Sequence, residues 1–344
     1  MVSLLFFRCD KYKVTDLLHA AMRVKAGDFN HLFFAVRPAT LIIVYLLPLT
    51  PDATLSLISI ISYIISIILT FFFTKCLYDN TAATFAAAFL ASNFPVILNS
   101  SSPNADLPGL AACLLLQCIG LRFSTYNKKQ IVLKWVLFGL LSGIFALIRE
   151  PVIMSIIAIC LLLIHKRLFR EFLLYSIVTF SIITLWQIYA YYIIHMSYIT
   201  QLLTGLSLST KYSGVAYNPL KILGYLLNGL SPILIISGII GILLDDNKER
   251  FKILHIFGIP PLVLSIAWPA IYEPRLAIIA LPGLIHISGY GLKKIMERLS
   301  ELPFYGALKG LFSLLLILLI YFLGNFFLAY INNGYKISPI WRYI

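Results

Sequence analysis

Long apolar stretches separated by short polar turns restrict what this chain can fold into more than any other feature. They fall at 54–73, 82–98, 107–123, 131–148, 152–164, 172–194, 222–244, 253–271, 276–287 and 307–330. The chain is 60% hydrophobic and 12% charged, which is about half the charge of a soluble domain. At about 20 apolar residues per bilayer-spanning helix, we predict an all-α fold, a polytopic transmembrane helix bundle of about 10–11 spans. It forms a single membrane-embedded domain over residues 1–344.

Two further apolar segments are too short to cross a bilayer. Residues 39–49 are bounded by Pro38, Pro48 and Pro51, which predicts a re-entrant or interfacial segment. Residues 1–7 look like the stump of a helix, and no small-residue cleavage site of a signal peptide follows them. We expect that a first transmembrane helix is missing before this point.

Basic residues occupy alternate loops, and these loops are predicted to be cytoplasmic. They carry Lys75, Arg122, Lys128, Lys129, Lys166, Arg167, Arg170, Lys248, Arg250, Lys252, Lys293, Lys294 and Arg298. The extracytoplasmic loops are then 10–37, 99–106, 149–150, 198–221 and 271–275. Basic residues of membrane proteins gather in cytoplasmic loops and near lipid headgroups, which explains the net charge of +13. We therefore expect no nucleic-acid partner. We predict a multi-pass protein of the plasma membrane.

The first extracytoplasmic loop, residues 10–37, contains a short amphipathic pattern. Between residues 14 and 26, apolar residues recur at i, i+3, i+4, i+7 and i+8, and polar residues occupy the other face. Gly27 follows this pattern and is a typical helix end. The pattern predicts a helix that lies in the outer membrane interface.

Extracytoplasmic charges are the functional candidates, because the bias toward basic cytoplasmic loops does not explain them. Asp106 is the most prominent, since it follows a polar turn and begins a long apolar stretch. Free amides and the helix dipole favour a carboxylate there, so Asp106 is either a helix cap or a site residue. His31 is a lone histidine of the first loop. It is either a site residue or an ordinary residue of the membrane interface.

Two combinations of arginine and glutamate lie at other extracytoplasmic helix ends. Arg149 and Glu150 separate two apolar stretches, and Glu273 and Arg275 precede a later one. Each combination could neutralise itself. Alternatively, the arginines could converge with Arg37 on one anionic group such as a lipid phosphate.

The sequence offers no motif for a metal, a nucleotide or a soluble hydrolase. Its five cysteines are scattered and form no CxxC pair, which argues against a disulfide framework or a zinc site. Walker, HExxH and GxSxG patterns are absent. We therefore expect neither a metal nor a cofactor.

The order of these features along the chain resembles that of the GT-C glycosyltransferases, in particular the protein mannosyltransferase and lipid A aminoarabinose transferase-like branch. That family has an acid, an amphipathic stretch ending in Gly-Asp, a Pro-rich turn, a second acid at a helix start, and two later arginines. The matching segments are Asp10, Gly27-Asp28, Arg37-Pro38, Asp106-Leu-Pro-Gly-Leu-Ala, Gly143-Ile-Phe-Ala-Leu-Ile-Arg149-Glu-Pro and Arg275-Leu-Ala-Ile-Ile-Ala-Leu-Pro282. In the family an aromatic residue follows the first acid, and no residue here matches it clearly. Asp16 is therefore an alternative to Asp10 as the first acid.

The resemblance implies inverting transfer of a sugar from a polyprenyl-phosphate donor to an acceptor hydroxyl on the extracytoplasmic side. Asp10 or Asp16 would accept the hydroxyl proton, and Asp106 would orient the acceptor or assist the base. The arginines would stabilise the departing lipid phosphate. The implied partners are the lipid-linked donor, membrane lipid, and a protein or glycolipid acceptor. The implied substrate-binding candidates are Arg37, His31, Arg149, Glu150, Glu273 and Arg275.

Two other functions fit the same helix pattern. One is a transporter or flippase for a lipid-linked or polar solute, and the other is an inactive paralogue that serves as a structural subunit. Transporters place ionisable or helix-breaking residues near the bilayer midplane. Here the acids gather at one predicted face, which favours the enzyme.

Overall fold

The computed structural model describes residues 7–8, 16–29, 37–100, 103, 105–125, 131–195, 200, 229–267, 277–301 and 338–339. The helices in these ranges are α1 (Asp16–Lys25), α2 (Pro38–Leu46), α3 (Pro51–Leu77), α4 (Asn80–Ser92), α5 (Phe94–Ser100), α6 (Asp106–Thr125), α7 (Ile131–Ala146), α8 (Val152–His165), α9 (Phe169–Ile194), α10 (Pro232–Leu244), α11 (Lys248–Ala267) and α12 (Ala277–Ser300). Strand β1 (Phe7–Arg8) pairs antiparallel with β2 (Ser338–Pro339).

The predicted helical membrane bundle is confirmed. Helices α3, α6 and α9 are each long and apolar enough to cross a membrane, and α7, α8 and α10 are shorter apolar helices. Outward side chains such as Phe72, Leu133 and Leu185 are more than half exposed, which suits contact with lipid tails. The apolar stretch predicted at 307–330 lies outside the described residues.

Polar side chains at the helix starts explain where the long helices begin. Before α3, the Thr50 hydroxyl accepts the Ala53 backbone N–H at 3.4 Å, and Pro51 takes the first helical position, where its missing N–H costs nothing. Before α4, a carboxylate oxygen of Asp79 accepts the Thr81 N–H at 2.9 Å. Each cap satisfies amides that the helix itself cannot pair.

The prediction of one span over 82–98 was wrong, because this stretch is divided between α4 and α5. Asn93 ends α4, and its side-chain oxygen accepts the Val96 N–H at 3.4 Å. Its amide nitrogen donates to the Gly229 backbone oxygen at 3.0 Å. An asparagine that hydrogen-bonds the local backbone competes with helical pairing, and Pro95 brings no N–H to the helix ladder.

Helix α12 continues well beyond the predicted apolar stretch at 276–287 and ends at Ser300. Its added turns are held by ion pairs. Lys293 contacts Asp79 beside the start of α4, and Lys294 Nζ lies 2.7 Å from a Glu297 carboxylate oxygen. Apolar side chains of the same turns, such as Leu292, are also buried in the core. Because charged residues alternate with these buried apolar ones, hydropathy alone placed this boundary too early.

Glycines bring α12 very close to three neighbouring helices. A Cβ atom at Gly291 would fall well inside van der Waals distance of the Ser237 backbone oxygen on α10. A Cβ at Gly283 would meet the backbone of Gly258 on α11, and one at Gly289 would lie 2.5 Å from the Ala82 oxygen on α4. Small residues allow this backbone approach in membrane bundles, so α12 is a central packing element.

Three helix ends are joined by a polar cluster of Tyr78, Asp245 and Arg250, which we call the loop cluster. Arg250 Nε lies 3.1 Å from both carboxylate oxygens of Asp245, and the Tyr78 hydroxyl donates to Asp245 at 2.9 Å. Burial raises the pKa of Asp245, but hydrogen bonds from Arg250, the Asn247 backbone and Tyr78 outweigh it and hold this pKa below its ordinary value. The cluster therefore ties the ends of α3 and α10 to the start of α11.

Replacing Arg250 with alanine should destabilise the protein by about 1–3 kcal/mol at neutral pH, because a buried carboxylate loses charge-assisted hydrogen bonds. The depressed folded-state pKa of Asp245 means that its contribution is present above the unfolded-state value of about 4. That contribution is lost as the pH falls through the folded-state pKa. The loss caused by Arg250→Ala should therefore shrink at about pH 3. Thermal unfolding in detergent, followed by tryptophan fluorescence at both pH values, measures this difference.

The matched control is Arg298→Ala. The ion pair of Arg298 with Glu301 joins side chains that are 76% and 66% exposed, and such pairs contribute about 0–1 kcal/mol. An Arg250→Ala loss of equal size at both pH values would contradict the role given to Asp245.

Candidate active site

The turn between α7 and α8 carries Arg149 and Glu150, and helix α2 is docked against this turn. The Ala39 backbone N–H donates to the Leu147 oxygen at 3.2 Å. The Thr40 hydroxyl donates to the Ile148 oxygen at 3.5 Å. These bonds fix the first turn of α2, and they bring Arg37, the residue before that helix, to the side of Glu150.

Four charged side chains form a chain of alternating sign, which we call the charged quartet. Arg149 Nη2 lies 2.5 Å from Asp106 Oδ1, and Arg149 Nε lies 3.7 Å from Glu150 Oε2. Arg37 Nε lies 4.0 Å from Glu150 Oε1. The carboxylate side chains are each 8% exposed, that of Arg149 is 14% exposed and that of Arg37 is 25% exposed. The quartet is thus mostly withdrawn from solvent.

Asp106 is the first residue of α6, and the local sequence explains this helix start. The first intrahelical hydrogen bond runs from the Gly109 N–H to the Ala105 oxygen, at 3.0 Å. Pro108 lies before that bond, where a missing N–H removes no helical pairing. The helix dipole favours a carboxylate at this end. From the sequence, Asp106 was either a residue of the helix start or a site residue. In the structure it begins α6 and also belongs to a charged cluster.

Glu150 is a buried acid that lies between the two guanidinium groups of the quartet. Burial raises the pKa of Glu150, while the Arg37 guanidinium opposes that rise. A carboxyl group whose pKa is raised holds its proton to higher pH than an exposed one. Glu150 is therefore suited to bind and release a proton, or to hold Arg37 and Arg149 in place.

The amphipathic helix α1 packs beside the start of α6. Its apolar residues Leu17, Ala21 and Val24 are buried in a cluster that includes Ala105. The apolar pattern had placed Met22 on the buried face, but Met22 is 52% exposed. Lys25 Nζ donates to the backbone oxygens of three residues at the end of α2. These acceptors are Val44 at 3.4 Å, Tyr45 at 3.2 Å, and Leu47. A cation suits a helix C-terminus, so α1 and α2 are held together as one unit next to the quartet.

The structure brings together four of the residues singled out from the sequence: Arg37, Asp106, Arg149 and Glu150. Asp16 is the first residue of α1. The remaining candidates lie outside the described residues, and their place in the site stays a prediction. They are Asp10, His31, Glu273 and Arg275.

Two residues that shape the quartet were given no role of their own from the sequence. Thr40 docks α2 through its hydroxyl, and Gly109 leaves space for the Arg149 side chain. Gly109 stands three residues after Asp106, so the two share a helix face. That spacing could have indicated a role for Gly109. Thr40 contacts a residue 108 positions away, and nothing in the local sequence indicates this contact.

Within the described ranges, no three His, Cys, Asp or Glu side chains converge. Both carboxylates of the quartet face guanidinium groups instead. The chemistry available there is proton transfer by a carboxylate and recognition of an anion by arginine.

Comparison with known proteins gives a family match and similar solved structures. The family model described as dolichyl-phosphate-mannose-protein mannosyltransferase matches residues 41–191. This range is a little under half of the chain, and it contains Asp106, Arg149 and Glu150. No curated protein sequence matches the chain.

Two solved structures share the fold. The apo structure of ArnT from Cupriavidus metallidurans has a TM-score of 0.54 at 15% identity, covering 85% of this chain and 57% of that one. The Archaeoglobus fulgidus oligosaccharyltransferase, tethered with an acceptor peptide, has a TM-score of 0.51 at 14% identity, covering 90% and 47%. The chain thus spans about half the length of the structures that it matches. The resemblance to the GT-C glycosyltransferases is confirmed, and the chain has their fold.

Proposed function

We propose, from the GT-C fold of this chain, that it is a membrane glycosyltransferase that uses a polyprenyl-phosphate sugar as donor. The sugar passes to an acceptor hydroxyl with inversion at the anomeric carbon. The observation that carries the proposal is the charged quartet, in which carboxylates and guanidinium groups meet at helix ends in a mostly buried place. The family model over residues 41–191, described by a dolichyl-phosphate sugar, supports the donor class.

The carboxylates serve the acceptor in this proposal. As the acceptor oxygen forms its bond to the anomeric carbon, its proton passes to a carboxylate. The bond between the anomeric carbon and the phosphate oxygen breaks on the opposite face, and its electron pair leaves with the lipid phosphate. Asp106 orients the acceptor hydroxyl or shares in taking the proton, with Asp10 or Asp16 as the base.

The guanidinium groups serve the departing phosphate. Negative charge grows on that phosphate as the bond to the sugar breaks, and fixed donors stabilise it most in a site withdrawn from water. A guanidinium has five N–H donors, and the contacts of Arg149 with Asp106 and Glu150 engage its Nη2 and Nε. Further donors remain for phosphate oxygens. Arg37 is the most exposed member of the quartet, so we assign the first contact with the lipid phosphate to it.

The proposed site lies on the extracytoplasmic side of the plasma membrane. Support comes from the alternation of basic loops, which assigns Asp106, Arg149 and Arg37 to one face. A lipid-linked donor reaches such a site by lateral movement in the bilayer. His31, Glu273 and Arg275 are proposed to complete substrate binding from the loops at the same face, and the acceptor is a protein or a glycolipid.

The direct test is sugar transfer by the purified protein in lipid nanodiscs. Radiolabelled sugar on polyprenyl phosphate should pass to an extract of cell-envelope acceptors, and glycan profiles of cells with and without the gene should identify the acceptor. Movement of the labelled lipid across liposomes without sugar transfer would support the transporter alternative. If the protein neither transferred the sugar nor moved the lipid, the structural subunit would be favoured.

Arg37→Gln should raise the KM for the lipid donor about tenfold, because a neutral amide cannot form the charge-assisted hydrogen bonds that a guanidinium offers to phosphate. Arg37→Lys should lie between wild type and Arg37→Gln, since lysine keeps the charge and loses the planar fork. The measurement is the initial transfer rate against donor concentration. Arg23→Gln is the control, because Arg23 is an exposed arginine on the nearby helix α1. An equal rise in KM for both variants would exclude a specific role for Arg37.

A further inference from the structure

We infer that Gly109 is a positioning residue for Arg149, and this inference deepens the proposed function because it concerns the same site. A Cβ atom built on Gly109 would lie 2.8 Å from both the Cβ and the Cγ of Arg149. Real side chains do not approach so closely. The aliphatic part of Arg149 therefore lies directly on the α carbon of Gly109, and a glycine is required for it to do so.

The position of Gly109 on α6 links this contact to the charge chemistry. Gly109 follows Asp106 by three residues, so both lie on the same face of the helix. The Arg149 side chain crosses this face at Gly109, and its Nη2 reaches Asp106 Oδ1 at 2.5 Å. The space left by the missing side chain of Gly109 thus fixes where along α6, and from which direction, the guanidinium approaches the carboxylate.

The backbone of Arg149 has little freedom to move away from Gly109. Its carbonyl oxygen accepts the Val152 N–H at 3.1 Å, at the start of α8. The preceding Leu147 and Ile148 oxygens are engaged by α2. A methyl group at position 109 is therefore accommodated by moving the side chain of Arg149, and the guanidinium moves with it. A misplacement of about 1 Å can cost a reaction up to 100-fold.

The competing explanation is that Gly109 only allows close helix packing. Gly120 supplies the comparison, because it lies on the same helix and a Cβ there would be 2.9 Å from Ile159 Cγ1. That contact is purely apolar, and it lies about 16 Å further along α6 at 1.5 Å per residue. Gly109→Ala and Gly120→Ala therefore add the same methyl group to contacts that are both under 3.0 Å, one at the quartet and one away from it.

We expect Gly109→Ala to lower kcat about 10- to 100-fold, with little change in the KM for the donor. Gly120→Ala should keep wild-type kcat per folded molecule and lower only the melting temperature. Equal losses of kcat in the two variants would overturn the inference, because packing alone would then account for both.

A second readout does not depend on catalysis. Phenylglyoxal modifies free guanidinium groups, so mass spectrometry of labelled protein reports how well Arg149 is held by Asp106. Labelling of Arg149 should be several-fold faster in Gly109→Ala and unchanged in Gly120→Ala. Unchanged labelling in Gly109→Ala would overturn the positioning role. If the wild-type protein transferred no sugar, the proposed function would fail while this labelling still tested Gly109.

A variant that removes the opposing atoms covers the case in which Gly109→Ala does not fold. Arg149→Gly deletes both the Cβ and the Cγ that a methyl at position 109 would meet. The double variant Gly109→Ala/Arg149→Gly should then recover the folded yield of Arg149→Gly alone. Failure to recover would place the harmful contact elsewhere and would overturn the inference.

Discussion

Asp106→Asn should lower sugar transfer by a factor of about 100 or more, since a positioned carboxylate that handles a proton contributes about 10²–10⁴-fold. Asparagine keeps the shape of the side chain and the start of α6, but it cannot share in taking the acceptor proton or orient the hydroxyl as a carboxylate does. It also leaves the Arg149 guanidinium without the carboxylate at 2.5 Å. The rate of labelled-sugar transfer in nanodiscs, divided by the amount of folded protein, measures the effect.

The control must separate lost chemistry from lost stability. Breaking a buried ion pair can cost about 3–5 kcal/mol when one charge is left alone, although Glu150 lies 3.7 Å from Arg149 and compensates in part. Asp106→Asn/Arg149→Gln removes both charges of the pair, so it should regain stability without regaining transfer. Lys166→Ala tests the other end of α8, where Lys166 pairs with a half-exposed Glu249, and it should be nearly silent. Wild-type transfer by Asp106→Asn would remove this residue from the site.

Gly291→Ala should leave almost no folded protein, with a loss of more than about 4 kcal/mol, a size reserved for severe steric or electrostatic faults. The added methyl would overlap the Ser237 backbone oxygen of α10, and a backbone atom within a helix cannot swing aside as a flexible side chain can. Helices α10 and α12 would have to separate along their shared contact. The fraction of protein that elutes as a single species from size-exclusion chromatography in detergent, together with its melting temperature, measures the loss.

Gly238→Ala is the matched control on the same helix pair. Its Cβ would lie 3.0 Å from the Ser288 hydroxyl oxygen, a contact that a shift of a few tenths of an ångström relieves. Alanine also gains about 1 kcal/mol over glycine within a helix, which offsets part of the crowding. We expect a melting temperature close to that of wild type. If Gly291→Ala were tolerated equally well, α10 and α12 would not approach each other as closely as described.

The membrane bundle could be predicted from the sequence because its cause is local. Each apolar stretch that can satisfy its own backbone in lipid forms a helix whatever its neighbours are. The break at Asn93 and the extension of α12 to Ser300 were beyond that reasoning. They depend on a contact with Gly229 and on the pairing of Lys293 with Asp79, both between residues distant in sequence.

The candidate site was partly predictable for a similar reason. Arg37, Asp106 and Arg149 were assigned to one face by charge alternation, and charged groups at helix ends on one face have few places to be neutralised except by each other. Their pairing order was not predictable, because it depends on how α2 docks on the turn before α8. Gly109 was quoted within a family motif, yet its reason emerges only when Arg149 is seen lying across it.

The alternating signs within the quartet should make the arrival of the proposed lipid donor nearly independent of ionic strength. Two guanidinium groups and two carboxylates cancel as formal charges, so their field falls off steeply and attracts few counterions from a distance. Going from 0.01 M to 0.15 M salt shortens the Debye length from about 30 Å to about 8 Å, but such a short-ranged field has little left to screen. Arrival of the proposed lipid donor should then be governed by diffusion in the plane of the leaflet.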